Sequence, residues 1–155
     1  MADIPVEIWQ LVRDEEGKDV KDVVLLRDER GRFLPIVIGV CEAAAIWVRL
    51  APDLAAPYLR RPWSHDLMQS LLERLGAGLE RVVIDNFAND TFFATLHLRY
   101  RDQELVVDAR PSDAIALALR MYAPILVNDE VMDETSIPPG IGEGGEGPEP
   151  WEGLA

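Results

Sequence analysis

Acidic side chains flank one predicted strand-to-helix junction. Asp108 ends an apolar strand, and Asp113 lies five residues later in the first turn of a helix. This spacing can bring both carboxylates to one corner, where their oxygens could hold Mg²⁺ or Mn²⁺. The alternative is structural, because Asp113 would favour the helix dipole and Asp108 could cap the helix. Glu42, Asp66 and Asp85 are further candidate metal ligands, or ordinary first-turn and turn acids.

A histidine and an arginine accompany these acids. His65 lies in the first turn of a predicted helix, where the helix dipole favours the neutral imidazole that a general base requires. The alternative is that His65 only packs against Trp63. Arg110 lies between Asp108 and Asp113, and its guanidinium has the fork geometry that binds phosphate. It could instead pair with one acid, which would be worth ~0–1 kcal/mol at the surface.

A second group of basic and aromatic residues precedes His65. Arg60 and Arg61 are close in sequence to Tyr58 and Trp63. Such a segment could combine ring stacking with phosphate binding, so both arginines are candidate substrate contacts. Ordinary surface contacts or a subunit interface are the alternatives.

The charge distribution limits the possible partners. The net charge is −13, and eight acids follow the last basic residue, Arg120. Because a broad basic surface supplies most non-specific nucleic-acid affinity, this chain is not expected to coat DNA or RNA passively. An enzyme that meets phosphate through a carboxylate-bound metal is still compatible with this charge.

The single cysteine and the N-terminal sequence indicate where in the cell the protein is expected. Cys41 cannot form an internal disulfide, and the N-terminus has neither a basic nor an apolar leader segment. We therefore expect a cytoplasmic protein. No apolar run approaches the roughly 20 residues that cross a bilayer, so no membrane association is expected. Cys41 precedes a helix, where a thiolate would be favoured, although a small packing residue is the simpler interpretation.

The hydrophobic pattern predicts an α+β domain. Pro35 predicts an edge or bulge in its strand, and residues 52–62 are expected to form a loop. Ser64 is expected to cap the second helix and Gly76 to end it. Strands are predicted at Val6–Val12, Val20–Leu26, Phe33–Ile38, Arg81–Asp85, Thr91–Arg99, Glu104–Ala109 and Ile125–Val127, and helices at Glu42–Leu50, His65–Leu75 and Pro111–Met121.

An internal repeat relates the two halves. A gapless shift of 71 residues aligns Glu42 with Asp113 and the predicted strands and helices with one another. We therefore expect a β-β-β-α unit used twice, at about 6–50 and 77–121, forming a mixed or antiparallel sheet packed against helices. Residues 1–136 would form one domain. Residues 137–155, rich in Gly, Pro and Glu, would form a disordered acidic tail, with Trp151 a stray aromatic.

One block and three shorter segments carry a family resemblance. The run from Asp108 to Ala118, DARPSDAIALA, is similar to the characteristic block of the bifunctional nuclease (BFN) domain family. Leu34-Pro35-Ile36 with Ile38-Gly39, Glu42-Ala43 and His65-Asp66-Leu67 support the match in the correct order. The resemblance covers residues 6–134.

This resemblance implies a nuclease that cleaves phosphodiester bonds of DNA, RNA or both. The expected machinery is a divalent metal, Mg²⁺ or Mn²⁺, held by Asp108, Asp113, Glu42 and Asp66. His65 would transfer protons, and Arg110, Arg60 and Arg61 would contact the nucleic acid. The competing hypotheses are a non-catalytic protein-interaction or regulatory module and a small-anion sensor at Arg110. A homo-oligomer is compatible with each hypothesis.

Overall fold

The computed structural model describes residues 2–15, 19–139, 151 and 153. Its strands are β1 (Asp3–Asp14), β2 (Lys21–Asp28), β3 (Phe33–Ile38), β4 (Gly78–Ala88), β5 (Thr91–Tyr100), β6 (Gln103–Ala109) and β7 (Ile125–Asn128). Its helices are α1 (Val40–Leu50), α2 (Pro52–Ala55), α3 (Ser64–Leu75), α4 (Pro111–Met121) and α5 (Asp129–Thr135), with a 3-10 turn at Ala56–Tyr58. Among these helices, none is long and apolar enough to span a bilayer.

The strands form one mixed sheet in the order β3-β2-β1-β7-β4-β5-β6. β1, β2 and β3 pair as an antiparallel meander, and so do β4, β5 and β6. β7 joins the two meanders, antiparallel to β1 and parallel to β4. The predicted α+β class is therefore confirmed. Both halves repeat the same order and pairing of elements, and a duplication as its origin remains a prediction.

Turn residues adopt the conformations that their types favour. Asn89 and Asp90 both have positive φ, of 53° and 57°, in the tight β4–β5 turn. Asn and Asp tolerate this left-handed conformation better than other side chains do, so the turn that this Asn-Asp pair predicts from the sequence is confirmed. Gly31 and Gly76 also have positive φ, and Gly76 ends α3 as predicted. Pro35 lies in β3, an edge strand, as its missing N–H requires.

Alanine-rich faces bring the two principal helices together. α1 and α4 pack against each other and over the sheet, where β2, β4 and β5 supply buried aliphatic side chains. Ala43, Ala45, Ala114 and Ala116 are almost fully buried in this core. Because alanine adds little bulk and favours helix, these residues allow the helix starts to come close. That proximity places Glu42 near Asp113.

Three predictions of local structure are wrong. The expected loop at 52–62 contains α2 and a 3-10 turn. Ser64 is the first helical residue, not the cap, and the Asp66 carboxylate accepts the Trp63 backbone N–H at 2.8 Å instead. The apolar face predicted for α3, formed by Leu67, Met68, Leu71, Leu72 and Leu75, does not face the core, because four of these side chains are exposed and only Leu72 is half-buried.

The C-terminal segment departs from expectation where it is described. Ile137 pairs with Phe33 through two backbone hydrogen bonds of 2.7 and 3.0 Å. Trp151 is buried, and its ring centroid lies 5.4 Å from that of Trp47. The backbone N–H of Trp151 donates to the Leu11 carbonyl at 3.0 Å. The interpretation of Trp151 as a stray aromatic is therefore wrong. The rest of the predicted tail, 140–150, 152, 154 and 155, lies outside the described residues.

A buried arginine joins α1, α3 and α4. Arg120 is fully buried, and its Nε donates to Asp66 Oδ1 at 2.7 Å. Its Nη1 donates to the carbonyls of Ala45 and Ala116 at 3.0 and 2.9 Å. Burial alone would raise the pKa of Asp66, but the Trp63 N–H and the Arg120 guanidinium hold it below its ordinary value. α3 is thus attached to the body through a charge pair.

Replacing Asp66 by asparagine should destabilise the fold by about 3 kcal/mol, because it leaves the Arg120 charge buried without a counterion. Urea unfolding followed by far-UV circular dichroism measures this. Asp53→Asn, on the exposed first turn of α2, is the matched control and should change stability by less than about 0.5 kcal/mol. Equal, small effects of the two substitutions would contradict the proposed role of the ion pair.

Candidate functional site

The starts of α1, α3 and α4 surround one cleft. It has a volume of about 740 Å³ and is lined by Cys41, Glu42, Trp63, His65, Arg110 and Asp113, among others. α1 and α4 each begin after an extended residue, Gly39 and Arg110, so both N-termini open toward this region. The cleft therefore collects the first-turn side chains of three helices.

Arg110 connects acids from the two halves of the chain. Its Nε and Nη2 donate to the two carboxylate oxygens of Asp113 at 2.8 and 3.2 Å. Its Nη1 donates to Glu42 Oε1 at 3.0 Å. The hydrogen bond and charge of Asp113, followed by the hydrogen bond from Glu42, raise the pKa of Arg110. The predicted pairing of Arg110 with an acid is thus present, and with two acids rather than one.

His65 shares the Asp113 carboxylate with Arg110. Its Nε2 lies 2.9 Å from Asp113 Oδ1, and the imidazole is buried. Burial alone would raise the pKa of Asp113, but hydrogen bonds and charges from Arg110 and His65 hold it below its ordinary value. An ionised carboxylate that orients a histidine beside an arginine is an arrangement that can transfer protons near a bound anion.

Three other predicted site acids lie elsewhere, and one of them, Asp85, is exposed on β4 and accepts the Thr95 hydroxyl at 3.2 Å. Asp66 faces away from Asp113 and binds Arg120. Asp108 pairs with Thr95, whereas Val107 and Ala109 on either side of it pair with the core-facing Leu96 and Ala94. Because side chains alternate along a strand, Asp108 projects from the opposite face of the sheet. The expected meeting of Asp108 and Asp113 at one corner is therefore wrong.

The basic segment before α3 contributes Pro62 and Trp63 to the cleft, but neither of its arginines. Trp63 lines the cleft, and its Nε1–H lies 3.4 Å from the Tyr58 carbonyl oxygen. Arg60 and Arg61 are not among the lining residues. They are exposed and directly precede Pro62, which lines the cleft, so a contact with a longer ligand is the role that their position allows.

The described acids offer a limited set of metal ligands. Among residues 2–15, 19–139, 151 and 153, no group of three or more His, Cys, Asp or Glu side chains is placed to hold one ion. Within the cleft, Glu42 and Asp113 both accept hydrogen bonds from the guanidinium of Arg110. Two carboxylates with substrate phosphates and water can still bind Mg²⁺, which keeps several waters in most protein sites.

Two residues of the site were missed in the sequence. Arg120 anchors α3, and its alignment with Arg49 under the 71-residue shift was the available signal. Gly39 is the other, because a Cβ there would collide with the Glu42 carboxylate. A larger residue would displace that carboxylate from Arg110. Neither effect is visible without the packing of α1 against α4.

Comparison with known proteins gives a consistent result. The model of the family described as Bifunctional nuclease domain matches residues 23–140. An uncharacterized protein of Mycobacterium tuberculosis is 40% identical over 127 residues, which cover 81% of this chain and 73% of that protein. The chain belongs to the bifunctional nuclease domain family.

Plant proteins that carry the nuclease name are more distant. Bifunctional nuclease 1 of Oryza sativa subsp. japonica is 29% identical over 111 residues, which cover 70% of this chain and 33% of that protein. Bifunctional nuclease 2 of Arabidopsis thaliana is 29% identical over 109 residues, with coverages of 68% and 32%. The matched segment is thus about a third of each plant protein.

The segments that carry the BFN resemblance converge in space. Arg110 and Asp113 come from the DARPSDAIALA block, Glu42 from the Glu42-Ala43 pair and His65 from the third segment. All four residues line the cleft. The family-typical parts of this BFN domain therefore meet in a cleft where a histidine, an arginine and two acids are joined by hydrogen bonds.

Arg110→Met should raise the pKa of Asp113, because burial would then be opposed by His65 alone. In the native protein this pKa lies below the unfolded value of about 3.9. The ionised carboxylate therefore stabilises the fold above that value, and its contribution is lost as the pH falls through the folded pKa. Carboxyl-carbon NMR titration measures the shift. Arg30→Met, on the β2–β3 turn, should leave Asp113 unchanged, and an equal response to both substitutions would contradict the proposed pairing.

Proposed function

We propose that the cleft of this BFN domain hydrolyses phosphodiester bonds of DNA, RNA or both. The observation that carries the proposal is the shared carboxylate of Asp113, which holds His65 and Arg110 in one cleft. Family membership and the names of the plant relatives support it. A phosphodiester needs a cation for its charge and a group that moves a proton, and this site has both.

Arg110 is the proposed phosphate contact. Its side chain is 64% exposed while three of its N–H groups are bound to carboxylates. A substrate phosphate would compete with Glu42 for Nη1, since bidentate recognition of phosphate and of carboxylate uses the same guanidinium edge. In the free protein, the Glu42 carboxylate would thus occupy the position on Nη1 that the substrate phosphate takes when it binds.

His65 is the proposed proton-transfer residue. Asp113 fixes the orientation of the imidazole through Nε2 and stays ionised because of its lowered pKa. Hydrogen bonding of one ring nitrogen to a carboxylate leaves Nδ1 to exchange a proton with water or with the leaving oxygen. His65 is buried at the cleft wall, so its proton transfer would take place away from bulk solvent.

A divalent ion is the remaining part of the proposal. Mg²⁺ or Mn²⁺ would bind to the carboxylates of Glu42 and Asp113 and neutralise charge on the phosphate. For this to happen, Arg110 would have to transfer its hydrogen bonds from the acids to the phosphate. Because Arg110 would release the two carboxylates only when it binds the substrate phosphate, binding of the divalent ion would be coupled to binding of the substrate.

Arg110→Ala, Asp113→Asn and His65→Gln should each lower cleavage of fluorescently labelled single- and double-stranded DNA and RNA by about 100-fold or more. Parallel assays with Mg²⁺, Mn²⁺ or EDTA test whether cleavage depends on a divalent ion. Asp108→Asn, on the opposite sheet face, is the matched carboxylate control and should remain active. Cleavage that is unchanged in all three site variants would identify a contaminating nuclease. Complete absence of cleavage by the native chain would favour the competing hypothesis of a protein-interaction module.

Alkylation of Cys41 by N-ethylmaleimide should also inhibit cleavage, because this exposed thiol lines the cleft beside Glu42. It is the only cysteine in the chain, so labelling is specific. Quantified labelling and residual activity measure the effect. Cys41→Ser should cleave normally and resist the reagent. Full labelling of the native chain with undiminished cleavage would place the reaction outside this cleft.

A further inference from the structure

α3 presents its polar side to the protein and its apolar side to solvent. His65 binds Asp113, and Asp66 binds Arg120. The Gln69 side-chain amide donates to the Arg120 carbonyl at 3.2 Å. A surface helix of a globular protein normally has the reverse arrangement, with its apolar stripe toward the core. α3 therefore carries an apolar surface that the single chain does not use.

This α3 stripe consists of four side chains at helical spacing. Leu67, Met68, Leu71 and Leu75 are 54%, 41%, 55% and 65% exposed. Side chains separated by about four residues lie above one another on one side of a helix. Together they offer roughly 400 Å², half of the roughly 800 Å² that each partner contributes to a standard protein interface.

The β6 edge is a second uncovered apolar surface. β6 is the last strand of the sheet and pairs only with β5 among the described strands. Leu105, Val106 and Val107 are 41%, 58% and 42% exposed. Edge strands of monomeric proteins are normally protected by charge, proline, bulges or a covering element. Three consecutive apolar residues on this edge leave roughly 200 Å² of further apolar surface uncovered.

We propose that the α3 stripe and the β6 edge bind a second copy of this chain. An edge strand presents backbone N–H and C=O groups with which another strand can pair. A second copy supplies such a strand, and a lipid surface does not. A membrane-binding helix also needs a free basic polar face. The polar face of α3, formed by His65, Asp66 and Gln69, is instead hydrogen-bonded to other parts of the fold.

Charge agrees with this choice of partner. The chain carries −13, so two copies repel each other over most of their surface, and an anionic membrane would repel the chain in the same way. The stripe itself contains no charged residue, which makes it a place where two copies can meet. Met68 belongs both to the stripe and to the cleft lining, so the second copy borders the cleft.

Light scattering coupled to size-exclusion chromatography tests the proposal on the full chain from about 1 to 100 μM, a range that detects a dimer with a micromolar Kd. The native protein should have at least twice the monomer mass of 17.3 kDa. Leu67→Glu/Leu71→Glu should return it to the monomer mass with an unchanged circular dichroism spectrum, because both positions are more than half exposed. Leu75→Glu is a second variant if that pair fails to fold.

Ser70→Glu is the control matched to Leu75→Glu, since it adds the same single charge on α3 off the stripe and should keep the native mass. Val106→Lys should weaken association through the β6 edge. A native chain that is monomeric at every concentration would overturn the proposal, as would one whose mass survives both stripe variants. A monomer that instead binds neutral phosphatidylcholine vesicles through the stripe would assign this surface to lipid and overturn it as well.

Discussion

The buried guanidinium of Arg120 is the interaction on which the site depends. A fully buried charge must be neutralised and hydrogen-bonded, and Arg120 obtains this from Asp66 and from carbonyls of α1 and α4. Asp66 at the same time accepts the Trp63 N–H and so defines the first turn of α3. His65 lies next to Asp66 in that turn. The position of the proposed proton-transfer residue is therefore set by an ion pair that does not itself face the cleft.

Because α3 is attached to the protein by its polar side, its apolar side is exposed to solvent. Once His65, Asp66 and Gln69 are bound to the body of the protein, helical geometry directs Leu67 and Leu71 outward. Most of the apolar surface of α3 is not buried within one chain, so its attachment depends on these specific polar contacts. The same contacts leave an apolar surface for association, and in this way the site and the proposed interface have one structural origin.

Local patterns were sufficient to predict the strands, the principal helices and the tight turns. They failed where the outcome depends on which face of an element is covered. Asp108 illustrates this, because Leu105, Val106 and Val107 make both faces of β6 apolar and give no alternation from which to assign the acid. The α3 stripe shows the opposite case. Its apolar periodicity is strong and predicts a side that faces the core, but no element of the described fold covers it. Trp151 required a long-range contact with Trp47 that composition cannot reveal.

The site is formed where the two halves of the chain differ. Under the shift of 71 residues, Glu42 aligns with Asp113 and Gly39 with Arg110. The two acids lie close because α1 and α4 begin side by side, and two such carboxylates repel unless a cation separates them. Arg110 supplies that cation from one half, while the other half has a glycine whose missing side chain leaves the Glu42 carboxylate in place. An arginine at both positions would put two like charges in one space, and a glycine at both would leave the acids unpaired. A single guanidinium between two equivalent acids is the arrangement that both stabilises the free protein and can be exchanged for a phosphate.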